Sequence, residues 1–277
     1  MTALHGKRFA LVLGGGGTRG FAHVGVIEVL EAAGHSPVQV VGSSMGALIG
    51  AVWCAGTSPA EMRNLLEELR RADLFRIAHR DMAFKRMRSP GLYRPEPLAD
   101  VVSGLLGHVT FGDLERPMLV STVDLNAGEQ VVWGGPGHED VPVVDAVLAS
   151  CALPGFLPPH PVRGAWCVDG SVAGNLPVHA VTAACDVIVA VDVGGKAGGR
   201  EGYHDGGFAS VWARAIELGI RRIDEIRLAH WQTPPLLLVR PDVGRVRLLD
   251  FRKNLVLADA GRAAMERALA GGVTEPV

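Results

Sequence analysis

Five short apolar runs rich in β-branched residues recur along the chain, at 9–13, 38–41, 118–123, 187–193 and 236–239. Each is a continuous apolar stretch of strand length with no polar alternation, so they read as strands covered on both faces. Helix-like stretches lie between them, at 21–33, 45–55, 97–106, 143–150, 208–229 and 255–269. A further helix is opened by the capping box Ser58-Pro59-Ala60-Glu61, with proline at its first position. Strands alternating with helices predict a three-layer α/β/α sandwich around a mostly parallel central sheet. Functional residues in such a sheet belong at the carboxyl ends of its strands. Three stretches read as irregular: 78–94, 153–164 and the glycine-rich 194–207.

At 277 residues, 48% hydrophobic and 20% charged, the chain can bury a sizeable core. Its net charge of -2 provides no overall basic field, which excludes nucleic acid as the expected partner. Cys54, Cys151, Cys167 and Cys185 are widely spaced, with no C-x-x-C pair and no histidine at metal-ligand spacing, so neither a metal site nor a disulfide framework is expected. The apolar run after Lys7 and Arg8 is too short for a signal sequence or a membrane span, and the expected location is cytoplasmic.

Two of the strand ends carry glycine-rich turns. After the first comes "GGGGTRG", in which Gly15, Gly17 and Gly20 satisfy the dinucleotide pattern G-x-G-x-x-G. A dinucleotide fold would place an acidic residue about twenty positions further on to bind the ribose, yet that stretch reads "GHSPVQVVGSSMG". No Gly-Lys-[Ser/Thr] follows either, so a P-loop is excluded. The second strand runs instead into Gly42-Ser43-Ser44-Met45-Gly46, a G-x-S-x-G between a strand and the apolar helix "ALIGAVWCA". That placement suits a nucleophile elbow, in which the central serine, Ser44, occupies a strained turn and flanking glycines keep side chains out of the way. The glycine run leaves the neighbouring strand, so Gly15, Gly16 and Gly17 can offer backbone N–H groups to an oxyanion formed at Ser44. Arg19 either adds positive charge there or braces the loop.

A serine nucleophile needs a proton acceptor. None of the ten histidines sits in an evidently catalytic context: His23 follows the glycine loop on a helix, His179 follows a proline turn and His204 lies in the glycine-rich 194–207 stretch. Asp169 stands at the end of the strand-like "AWCVD" before Gly170, although Asp124 and Asp192 also end apolar runs.

In order, "GGGGTRG", "GSSMG", "ASCALPGFLPP" and "DGS" resemble the oxyanion loop, nucleophile elbow, serine-to-double-proline block and aspartate turn of patatin-like phospholipases. The resemblance covers about 8–195, and the overall size is similar to the compact bacterial members. It implies one patatin-like hydrolase domain over 1–277, with 208–277 packed on the motif-bearing core. It also implies a Ser44-Asp169 dyad acting on acyl esters of lipids without cofactor or metal, an oxyanion hole at Gly15, Gly16 and Gly17, and supporting roles for Arg19, Gly42, Gly46 and Gly170. One departure is visible: the aspartate turn has Ser171 where the family usually has glycine or alanine.

The basic and apolar stretch at 80–94, with Met82, Phe84, Met87 and Leu92 among Arg80, Lys85, Arg86, Arg88 and Arg94, suits either transient contact with an anionic membrane surface or an ordinary surface loop. Two other readings of the chain remain open: a Ser-His-Asp triad using His204 or His230, and a non-catalytic acyl-binding regulator.

Overall fold

Phe9–Leu13 forms strand β1, buried along its whole length, and its alternate side chains enter two different cores. Phe9, Leu11 and Leu13 face one core while Ala10 and Val12 face the other, as the two-residue period of a strand requires. The structure is a computed structural model, and it describes residues 3–78, 91–194, 207–244, 246 and 249–271.

The remaining strands are β2 (Gln39–Gly42), β3 (Met118–Asp124), β4 (Glu129–Trp133), β5 (His160–Val162), β6 (Ala165–Asp169), β7 (Val187–Val191) and β8 (Leu236–Val239). They make one sheet in the order β5-β6-β3-β2-β1-β7-β8, with β4 also paired to β3. β8, β7, β1, β2 and β3 run parallel, whereas β4, β5 and β6 join antiparallel. The sheet is therefore mostly parallel, as the alternation of elements predicts.

Helices α1 (Ala22–Ala32), α2 (Met45–Cys54), α3 (Pro59–Glu68), α4 (Arg71–Leu74), α5 (Glu96–Leu106), α6 (Val143–Ser150) and α8 (Asn254–Gly271) all feed side chains into the core on the Phe9 face. The other face is more thinly covered, by Leu176, Val178, Ala180 and Leu228, the last from the end of the long helix α7 (Gly207–Ala229). The sandwich is asymmetric for that reason. α1 and α8 approach so closely that a Cβ on Gly25 would meet the Ala258 carbonyl oxygen, and one on Gly261 the Ala22 carbonyl oxygen. Only glycine permits that approach.

Two expectations need correction. The stretch 153–164 is not wholly irregular, because β5 lies within it, and β4 is a strand that no apolar run announced. Both are poorly apolar: β4 begins with the exposed Glu129, and β5 contains Pro161, which the end of a sheet tolerates. Most of the other two irregular stretches, 79–90 and 195–206, lies outside the described residues.

Candidate active site

β1 and β2 pair in parallel with Leu13 opposite Gly42, so the glycine loop and the GSSMG turn leave the sheet side by side. Ser44 joins β2 to α2 at φ 53° and ψ -125°. Among the described residues only Ser44 and Arg163 hold a positive φ without being glycine. Such backbone costs on the order of 1–3 kcal/mol and persists only where its surroundings enforce it. Here the enforcement is visible: the Ser44 N–H donates to the Ser150 hydroxyl oxygen at 2.8 Å, and that hydroxyl donates to the Ser121 carbonyl, also at 2.8 Å. Ser150 is fully buried, so no water competes for these bonds. Gly46 lets α2 press against β1, since a Cβ there would strike the Leu13 carbonyl, and a Cβ on Gly42 would lie 2.7 Å from the Ala47 nitrogen. Ser43 is buried, whereas Ser44 is partly accessible.

β3 brings the second group. It pairs with Gly42 at Val120 and with Asp169 at Thr122, so β2 and β6, which run in opposite directions, end within two positions of each other. The Ser44 side chain and the Asp169 carboxyl are brought together there, close enough for the serine to favour the ionised carboxylate. Asp169 is only 1% exposed, and burial pushes its carboxyl up to about 6. The hydrogen bond from the Ser171 N–H at 2.9 Å and the nearby Ser44 and Ser171 side chains pull the other way. Gly170 lets the chain turn past β3, because a Cβ would collide with the Ser121 carbonyl.

The glycine loop is braced on several sides. The Gly15 N–H donates to the Asn175 carbonyl at 3.2 Å, and the Asn175 side-chain Nδ2 donates to the Gly15 carbonyl at 2.8 Å. Arg19 donates through Nε to the Gly16 carbonyl at 3.2 Å and through Nη1 to the Gly194 carbonyl at 2.6 Å. Of the two roles that sequence left to Arg19, bracing is the one its contacts perform. Gly17 has φ 57°, and a Cβ on Gly15 would come within 3.0 Å of Ser44 Cβ, so the loop passes directly beside the elbow. A Cβ on Gly16 would lie 2.7 Å from Val193 Cγ2. The expectation that all three glycines offer N–H groups narrows: Gly15 has committed its own, while those of Gly16 and Gly17 have no backbone partner among the described residues.

Among the described residues, histidine takes no part in this site's contact between Ser44 and Asp169. His23 is fully buried with Nε2 2.7 Å from the Gly14 carbonyl, and burial pushes its imidazole down to about 4. It is therefore neutral and donates that bond, anchoring the start of the loop. His179 bonds the Gln130 side chain, and His230 bonds the Ile226 carbonyl. Among the described residues no histidine bonds Ser44 or Asp169, and His204 lies outside them. Residues 79–90 of the basic, apolar stretch also lie outside; its end is tied down, with the Leu92 and Tyr93 N–H groups donating to the Gly155 and Phe156 carbonyls. Among the described residues no cluster of three or more His, Cys, Asp or Glu is arranged to hold a metal, and no helix is long and apolar enough to cross a membrane.

A serine side chain set beside a buried carboxyl, next to a loop whose Gly16 and Gly17 N–H groups have no backbone partner among the described residues, has the parts for nucleophilic acyl transfer. Comparisons with known proteins agree in kind. The patatin-like phospholipase family model matches residues 11–182. An uncharacterised NTE family protein of Mycobacterium bovis is 34% identical over 193 residues, which are 69% of this chain and 51% of that protein. Lysophospholipase nte1 of Emericella nidulans is 34% identical over 90% of this chain and 17% of its own length. Patatin-like phospholipase domain-containing protein 6 of Mus musculus is 34% identical over 70% of this chain and 14% of its own. The chain thus spans about half the length of the mycobacterial relative and a smaller share of the others. The crystal structure of VipD from Legionella pneumophila matches with a TM-score of 0.57 at 14% identity, over 96% of this chain and 67% of that one, a likeness of fold alone.

Proposed function

Because the chain belongs to the patatin-like phospholipase family, we propose that it is a serine hydrolase of lipid acyl esters, of phospholipase A or lysophospholipase type, with Ser44 and Asp169 as its catalytic pair. The observation that carries this reading is the placing of the Ser44 side chain beside the buried Asp169 carboxyl at adjoining strand ends, with no histidine bonded to either among the described residues. Asp169 takes the Ser44 proton as Oγ attacks the ester carbonyl, and returns it to the departing alcohol as the tetrahedral intermediate collapses to an acyl-enzyme. Water then gives Asp169 a proton and attacks the acyl-enzyme, releasing the fatty acid and restoring Ser44.

A carboxyl at about 6 is a stronger base than an ordinary aspartate and is still ionised near neutral pH. The N–H groups of Gly16 and Gly17 receive the oxyanion, while Gly15 lets the loop come close enough to Ser44. The E. nidulans relative is named a lysophospholipase, which makes single-chain phospholipid esters the first substrates to try.

The test is hydrolysis of a p-nitrophenyl acyl ester by Ser44→Ala and Asp169→Asn, with folding checked by circular dichroism. Each is expected to lose about a thousandfold or more in kcat. Near-wild-type turnover in either would remove the dyad. Fluorophosphonate labelling of Ser44 in the folded wild type is expected, and its failure would favour a non-catalytic acyl-binding protein. A panel of diacyl and lysophospholipids then reads out the substrate class.

A further inference from the structure

We propose that helix α7 sets the aim of the oxyanion donors, with Asn175 and Asp224 as positioning residues; this rests on the hydrolase reading above. A trans peptide unit carries its C=O and the following N–H on opposite sides of one plane, so holding the carbonyl fixes the direction of the N–H. Asn175 Nδ2 holds the Gly15 carbonyl and thereby orients the Gly16 N–H. Arg19 Nε holds the Gly16 carbonyl and orients the Gly17 N–H in the same way. Each unused N–H of the loop is thus aimed by one side chain acting on the peptide from its far side.

Both anchors rest on α7. The Asp224 carboxylate accepts the N–H of Leu176, the residue next to Asn175, at 3.2 Å, fixing the segment that presents Asn175. One turn pair earlier, Glu217 lies 3.8 Å from Arg19 and is itself held by Arg214 at 2.9 Å. The same helix crowds the chain that follows Asp169, since a Cβ on Gly174 would lie 3.3 Å from Asp224 Oδ1. Leu228 is the one buried side chain of α7 among those described, so polar contacts share in attaching the helix. Asp224 has no part in the proposed proton transfers, and its half-buried carboxylate is spent on a backbone donor beside Asn175.

The experiment uses the full chain and two inhibitors of equal acyl length. A trifluoromethyl ketone forms a tetrahedral adduct with Ser44 whose oxyanion needs the loop, whereas the corresponding saturated alcohol binds without reacting. Asp224→Ala and Asn175→Ala are each expected to weaken the ketone and lower kcat by about tenfold, with KM and alcohol binding little changed. The double variant is expected to be no worse than Asn175→Ala alone, because both act through one peptide. Asp224→Asn, whose amide oxygen still accepts, is expected to recover the ketone affinity. Equal loss for both inhibitors, no loss for either, or additive losses in the double variant would overturn the proposal. If Asp224→Ala does not fold, Glu217→Ala at its partly exposed position carries the same test, with the ketone weakened and the alcohol not. Turnover surviving in Ser44→Ala would instead sink the Ser44–Asp169 assignment on which this rests, so the two failures are separable.

Discussion

Ser171 occupies a place where glycine or alanine is the usual residue in the family; its N–H donates to the Asp169 carboxyl, and its side chain also favours the ionised form. Donors to a carboxylate favour its ionised form, so Ser171 works against the burial that raises the group to about 6. The sign follows directly. Asp169 must be ionised to accept the Ser44 proton, so kcat/KM falls as pH drops through its pKa. Ser171→Ala removes a downward pull, raises that pKa and moves the acid limb of the kcat/KM profile to higher pH, by about one pH unit or less. A limb that stays put or moves down would mean that the titrating base is not Asp169. The candidate residues that sequence can single out are those confined to short motifs: Ser44, Asp169 and the glycines. Ser150 lies in a block that sequence singles out but without a role, and Asn175 and Asp224 escape it, because their bonds reach across 106, 160 and 48 positions and a lone serine, asparagine or aspartate carries no periodic signal.

At the level of elements, the buried parallel strands and most helices were readable because their period and caps are local. The capping box at Ser58 forms as its spacing demands, with Glu61 bonding back to the Ser58 N–H at 2.9 Å. What local pattern could not supply was which helices touch. α8 seals the back of α1, the helix that the glycine loop leads into, through the paired approach at Gly25 and Gly261. Two substitutions of one kind should therefore have opposite signs. Gly261→Ala gains about 1 kcal/mol of helix propensity but drives a methyl into the Ala22 carbonyl, and a net destabilisation of about 2 kcal/mol or more is expected. Gly104→Ala in α5 meets nothing within 4 Å and is expected to stabilise by about 1 kcal/mol. Urea unfolding of both variants checks the pair, and stabilisation by Gly261→Ala would mean that α8 does not sit this tightly on α1.

Across the whole molecule, the proposed catalytic pair comes from strands that meet end to end at β3, and β1 finds its second neighbour only in β7. A chain ending at 150 contains the elbow and Ser150 but lacks Asp169, Asn175, β7 and α7. It is expected to show no turnover and no fluorophosphonate labelling, whereas the full chain shows both; labelling of the fragment would mean that the elbow is reactive by itself. The meeting at β3 also has a meaning in time. A ribosome adds about 5–20 residues per second, so Ser44 exists for roughly ten seconds before the aspartate proposed to activate it has been made. Throughout that interval a nascent chain carries its serine without that carboxyl, because the second half of the proposed pair has not yet been translated.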